Sequence, residues 1–345
     1  MVKAFAPVNI AWVKYMGKVN GKPANASFSM TLDDAGTHTE MKLLEDAGPL
    51  QFRWSGVGYV PDRFGQERAI NFLKREAIWK NAILSLGYDY KEPQGIIEIE
   101  TRNSVPAGTG IATSASGFAA LTLSWLGIRL RSHLREWLLR YQEDEAARSL
   151  VSSLAGLGSG SACRSIEGPF VEWDPEDGTK VFHFEGEPFV DFILLLDQNP
   201  KKISSSQAHE RVLSSPNFSG RAARVQKRLN DIKFAFGKKD LKALSGLVLD
   251  EAMDMHTLFS TSNPPFEYMN DASRLWVKRF QEQNLMLPSD HAVVTLDAGA
   301  NVHVFVPLSE EKAWEELFSS QAGLLFVKSG MGRGARYDES ASLRV

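Results

Sequence analysis

The segment SVPAGTGIATSASGFAAL (104–121) holds three glycines, two threonines and three serines between an extended stretch and an apolar helical pattern. Ala115, Phe118, Leu121, Thr122 and Trp125 recur at helical spacing, which predicts a helix starting near Thr113 or Ser114. The first turn of a helix carries unpaired N–H groups and a partial positive charge. Gly108 and Gly110 let the backbone close around an anion, and Thr113, Ser114 and Ser116 add hydroxyl donors. The spacing is not that of a Walker A loop, because no Gly-Lys-Ser/Thr follows. Nor is it a dinucleotide fingerprint: the third glycine is missing and no acidic residue closes a βαβ unit. Two readings follow from the residues alone, a capped helix after a tight turn or a phosphate cradle.

Three charged residues could do chemistry elsewhere in the chain. Asp297 opens an Asp-Ala-Gly turn between two strand patterns. An aspartate there either bonds its own backbone or points into a cleft. Arg164 follows the small residues of GSGSACRS, which suits a guanidinium reaching into a pocket, or one capping a helix C-terminus. Lys14 lies on a strand reading AWVKY, where a lysine is ordinarily solvated. Ser204, Ser205 and Ser206 follow Lys201 and Lys202 and read equally as a polar loop or an anion site. Cys163 reads as a small buried hydrophobe.

These residues need a scaffold, and 345 residues suffice for about two domains. The chain is 43% hydrophobic and 23% charged, so a packed core is expected. A formal net charge of −3 speaks against nucleic-acid binding. A single cysteine excludes an intrachain disulfide and suits a reducing, cytoplasmic setting. No apolar run reaches about 18 residues, so no membrane span is expected, and the N-terminus shows no signal-peptide pattern.

Strands are predicted at 95–102, 191–197, 291–298, 301–307 and 323–329. Helices are predicted at 66–86, 114–130, 134–155, 208–214, 220–236, 239–259, 266–284 and 309–319. The Pro-, Gly- and acid-rich stretch 173–188 is the expected domain boundary, and the last residues read as a loose tail.

The opening segment resembles the phosphate loop of the GHMP kinase superfamily, Pro-x-x-x-Gly-Leu-x-Ser-Ser-Ala. Further blocks resemble one family within it, the mevalonate diphosphate decarboxylases: APVNIAWVKYMGK (6–18), PANASFSMTLD (23–33), GSGSACRSIEGPFVEW (158–173), KKISSSQAHE (201–210), MHTLFSTSNPPFEYMND (255–271), TLDAGANVHV (295–304) and VKSGMGRG (327–334). They occur in the family's order along nearly the whole chain.

The resemblance implies an α/β (α+β) GHMP kinase fold, with an N-terminal lobe over 1–185 that holds the phosphate loop (104–118). A C-terminal lobe follows over 186–335, a tail over 336–345, and the site lies in the cleft between the lobes. It implies ATP-dependent decarboxylation of a small anionic substrate, mevalonate 5-diphosphate, to isopentenyl diphosphate, through phosphorylation of its 3-hydroxyl. In that pattern Asp297 orients the tertiary hydroxyl, Lys14 steadies charge beside it and Arg164 holds the substrate carboxylate. Tyr15, Lys18, Arg68, Ser159 and Ser161 grip the diphosphate. Pro106, Gly108, Gly110, Thr113, Ser114, Ser116 and Ser205 bind ATP. Mg²⁺ is expected with ATP, held by phosphate oxygens and water, with no protein ligand assigned. Family members are often homodimers, although no dimer face is legible here.

The chain departs from the family at Met16, where the family has tryptophan, and at Thr113, where it has serine. These departures bear on the phosphate end, so the 5-monophosphate also stands as a candidate substrate. Two further functions fit the pattern: a GHMP kinase without decarboxylation, and a non-catalytic binding relative. A free aspartate titrates near 4 and is a feeble base for an alcohol, so positioning is the larger part of Asp297's expected work.

Overall fold

The computed structural model describes residues 1–20, 22–105, 113–199, 201–282 and 287–338. The first half lays down β1 (Val2–Val13), the short pair β2 (Lys18–Val19) and β3 (Lys22–Pro23), β4 (Ser27–Glu45), β5 (Gln51–Gly58), β6 (Ile96–Asn103), β7 (Phe170–Asp174) and β8 (Gly178–Phe182). Its helices are α1 (Arg63–Leu73), α2 (Glu76–Ser85), α3 (Thr113–Arg129), α4 (Leu134–Glu143) and α5 (Glu145–Gly158). The second half adds β9 (Phe189–Leu194), α6 (Ser205–Arg211), α7 (Arg221–Lys238), α8 (Leu241–Ser260) and α9 (Asp271–Gln281). It closes with β10 (Val293–Thr295), β11 (Val302–Pro307), α10 (Glu311–Ser319), β12 (Phe326–Gly330) and β13 (Arg336–Tyr337).

Two sheets result. The first runs β13-β1-β4-β6-β5, with β7 and β8 continuing from β4. β4 is 19 residues long, and β1 flanks it along one edge. Its other edge pairs with β7 near Ser27–Met30 and with β6 from Thr37 onward. The second sheet runs β10-β11-β9-β12, all antiparallel. The chain leaves the first sheet after Phe182 and enters the second at Phe189, inside the stretch expected as a boundary, whose residues Gly178–Phe182 nonetheless form a strand on β7.

Several expectations are corrected. The helical pattern 66–86 is two helices, interrupted at Lys74–Arg75. The pattern 134–155 is also two, because Asp144 leaves the helix and caps α5 by accepting Ala146 N–H (2.8 Å) and Ala147 N–H (3.3 Å). The supposed loose tail is ordered through Asp338. Arg336 and Tyr337 pair with Phe5 and Ala4, and the Tyr337 hydroxyl accepts from Trp137 Nε1 (2.7 Å) and donates to Leu123 O (2.8 Å). One tyrosine with two partners thus orders a polar segment. Residues 339–345 lie outside the described residues.

β1 serves two cores. Val2, Ala4 and Ala6 pack with α3 and the buried Trp79, Trp125 and Trp137. Val8, Ile10 and Trp12 pack into a second core shared with α7, α8, β9 and β11, which joins the two halves. Trp12 is fully buried and meets Phe28, Phe170, Phe189 and Phe305 edge-on, with centroids 5.0–6.3 Å apart. Trp12→Ala is expected to lower unfolding free energy by about 3–5 kcal/mol. Denaturant unfolding checks this; a loss below about 1 kcal/mol would show that the halves are not joined through this ring.

Candidate active site

Period-two alternation along β1 sends Ile10 and Trp12 into the core, while Asn9 and Ala11 line a cavity on the opposite face. Strict alternation would turn Lys14 toward the core with Trp12. A register shift against β4 between Ala11 and Val13 intervenes, and Lys14 lines the cavity instead. β4 alternates likewise. Phe28 and Met30 are core, whereas Ser27 and Ser29 present hydroxyls to Arg164. Arg164 sits in a 3₁₀ turn (Ala162–Ser165) after α5. Asn9 fastens this turn to β1, its Nδ2 donating to Ser161 O (3.1 Å) and Ser165 Oγ (2.8 Å).

Asp297 follows β10 in the turn leading to β11, with Gly299 N–H closing onto its carbonyl (2.7 Å). Its Oδ1 lies 2.5 Å from Lys14 Nζ. Lys14 is 2% exposed at its side chain and Asp297 21%, so the aspartate has the more open side of the pair. Burial pushes the Asp297 carboxyl up, but the Lys14 ammonium, with His303 and Lys201 adding to it, holds it below the usual carboxylate range. Burial draws Lys14 below its ordinary value against the opposing pull of Asp297.

Arg164 is 4% exposed. Its Nε donates to Ser29 Oγ (3.0 Å) and its Nη1 to Ser27 Oγ (2.6 Å), and among the described residues it forms no ion pair with a carboxylate. Burial pulls its guanidinium down. Asp297 acts on it only at a distance, so the buried cation lacks a direct carboxylate contact among the described residues, and the arrangement suits an anion brought by a ligand.

The cavity encloses about 470 Å³, ordinary for a small-molecule site. Lys14, Tyr15, Lys18, Arg68, Ser114, Ser159, Ser161, Arg164, Ser205 and Asp297 all line it. Sequence positions from β1 to the β10–β11 turn therefore converge. Ser116 does not line it: this side chain is fully buried, with Oγ 2.7 Å from Thr37 Oγ1, because α3 turns it toward the sheet. Pro106, Gly108 and Gly110 lie outside the described residues, as does the side chain of Thr113. Ser205 is the first residue of α6, and Ser204 caps that helix in a reciprocal bond with Gln207. Cys163 is buried, its thiol pushed up to about 11 by burial.

Several residues of the site carry no role legible in the sequence. Lys201 lines the cavity, with its ammonium 5.6 Å from the Tyr268 ring centroid. Burial draws it down while Asp297 pulls the other way. Glu251 on α8 is fully buried and accepts Lys14 N–H (3.2 Å), and Arg221 Nη2 donates to Glu251 (2.8 Å) and to Lys14 O (3.1 Å). Two helices of the second half thus clamp the backbone of the lysine from the first. The alternation of NASFSMT was the available signal for Ser27 and Ser29; Glu251 and Arg221 read as ordinary charges on amphipathic helices.

Two lobes meeting at a cleft, with a helix N-terminus and basic groups facing it, define the GHMP kinase fold. The chain matches the diphosphomevalonate decarboxylase-like N-terminal domain over residues 6–182 and the mevalonate 5-diphosphate decarboxylase C-terminal domain over 192–326. It is 30% identical to the diphosphomevalonate decarboxylase of Ganoderma lucidum, over 91% of this chain and 80% of that one. The structure resembles mevalonate diphosphate decarboxylase from Staphylococcus aureus (TM-score 0.79, 25% identity, 98% of each chain covered). It also resembles MDDEF solved in complex with MVAPP, AMPPCP and magnesium (TM-score 0.76, 25% identity, 98% of each chain). The chain belongs to the diphosphomevalonate decarboxylase family.

Proposed function

We propose that this protein decarboxylates mevalonate 5-diphosphate at the expense of ATP, giving isopentenyl diphosphate for isoprenoid synthesis. The observation that carries the reading is the convergence of Asp297, Lys14 and Arg164 on one cavity, with Arg164 buried and lacking a carboxylate partner among the described residues. A pure kinase has little need of a buried guanidinium to hold a carboxylate. The relative solved with MVAPP, AMPPCP and magnesium supports mevalonate diphosphate and an ATP-like nucleotide as the ligands.

Asp297 orients the tertiary 3-hydroxyl and receives its proton as the hydroxyl oxygen takes the γ-phosphoryl group of ATP. Lys14 balances the charge that builds on the oxygens beside Asp297. Arg164 holds the substrate carboxylate with its guanidinium fork. Phosphate then leaves with the C–O electron pair, the carboxylate departs as CO₂, and its C–C electrons form the alkene. Tyr15, Lys18, Arg68, Ser159 and Ser161 meet the diphosphate, while Ser114 and Ser205 meet the nucleotide. No group of three or more His, Cys, Asp or Glu side chains among the described residues could hold a metal. The hydroxyl donors at the cavity instead suit a nucleotide whose own phosphate oxygens bring Mg²⁺. That ion neutralises the β- and γ-oxygens when bound. No helix among the described residues is long and apolar enough to cross a membrane. The reading carries with it a cytoplasmic enzyme, and a homodimer as in many proteins of this fold.

Incubation with Mg-ATP and, separately, mevalonate, its 5-phosphate and its 5-diphosphate tests the reading. Equal ADP, phosphate and CO₂ with the 5-diphosphate is the expected result. ADP alone would make the protein a kinase, and the same products from the 5-phosphate only would change its substrate.

A further inference from the structure

The turn from Tyr15 to Lys18 is held by a side chain that the chemistry above does not use. His209, on α6, accepts Gly17 N–H at Nδ1 (3.0 Å), and its ring stacks on Tyr15 with centroids 4.4 Å apart and planes at 28°. Trp173 closes on Tyr15 edge-on at 5.6 Å. Gly17 has φ +93°, and a Cβ there would lie 2.3 Å from the Phe218 ring. The turn therefore has a backbone suited to glycine and packed from two sides. Accepting at Nδ1 leaves the proton of the neutral ring on Nε2. Burial, with Lys18 adding to it, pulls His209 down to about 4, so the ring stays neutral near pH 7 and Nδ1 remains an acceptor. His209 itself lines the cavity, as do Ser205 and Ser206 on the same helix.

We propose that His209 is a positioning residue for the phosphoryl end of the substrate, fixing Tyr15 and the Gly17–Lys18 turn and tying that end to α6. This rests on the reading that Tyr15 and Lys18 meet the substrate phosphates. Substrate on the turn and nucleotide beside the α6 serines then stabilise one shared contact, so each tightens the binding of the other.

The test compares His209→Ala with His209→Asn, whose amide oxygen can replace Nδ1 as acceptor for Gly17. AMPPCP affinity is measured by calorimetry with and without mevalonate 5-diphosphate, alongside steady-state kinetics. In His209→Ala the substrate KM is expected to rise about tenfold and the substrate-induced gain in AMPPCP affinity to shrink by about the same factor, the worth of one lost hydrogen bond. AMPPCP affinity without substrate stays unchanged, and His209→Asn recovers most of both losses. Unchanged KM and coupling in His209→Ala, or equal damage in both variants, would overturn the proposal. Lys18→Met separates the two levels. If it raises KM while His209→Ala does not, the positioning role falls and the substrate reading stands. If neither variant moves KM, both fall.

Discussion

Replacing Asp297 with asparagine is expected to lower kcat by about 10³-fold while leaving AMPPCP affinity within about twofold. Asparagine keeps the shape but removes the proposed proton acceptor and the negative charge. The loss extends to Lys14, whose ammonium is buried and whose nearest counter-charge is Asp297 at 2.5 Å. Without that carboxylate the cost of burial is offset less, with Glu251 still favouring the charged form, and Lys14 gives up its proton more readily. The nucleotide contacts proposed for α3 and α6 do not involve Asp297, so AMPPCP binding by calorimetry separates a chemical defect from a folding one. A Lys14→Met partner in the Asp297→Asn background relieves the stranded ammonium and is expected to recover thermal stability without recovering turnover. Near-normal turnover in Asp297→Asn would remove this residue from the mechanism.

Arg164→Gln carries the second large effect, and its two readouts move apart. Activity is expected to fall by about 10³-fold in kcat/KM, the range seen when one member of a buried ion pair is truncated. The free protein is not expected to lose stability. Arg164 is 4% exposed, and its bonds go to the Ser27 and Ser29 hydroxyls, of which the amide of glutamine, ending where Nε sits, can still bond Ser29. Removing a buried charge that forms no ion pair among the described residues relieves a desolvation cost. Thermal melting of the free protein tests this, and the upward shift of the melt by mevalonate 5-diphosphate should shrink in the variant. A melt lowered as for a core truncation, with the substrate-induced shift intact, would make Arg164 structural.

Much of the fold was legible because local signals were strong. Helix α3 begins where the small-residue segment meets apolar periodicity, and α7 and α8 keep near-complete amphipathic patterns. The strands β6, β9 and β11 were visible as alternating or continuous apolar runs. The break at Asp144 was hidden because apolar spacing continues across it, although aspartate before Glu-Ala-Ala is a capping signal. The 19-residue β4 was hidden because its two stretches alternate against different neighbours. Ser116 groups with its neighbours by type, and only the direction of the helix face separates it from Ser114.

The sequence by itself determined the residue types of the site, the order of its blocks and the helix start that supplies backbone donors, because these are set within a few residues of each other. Only the tertiary structure decided that Lys14 meets Asp297 across 283 residues of chain, that Arg164 forms no ion pair among the described residues, and that Glu251 and Arg221 grip the backbone of Lys14. The physical reason is register. A shift of one residue in β1 turns a side chain from core to cavity, and the neighbours that set that shift come from β4 and from helices of the other half.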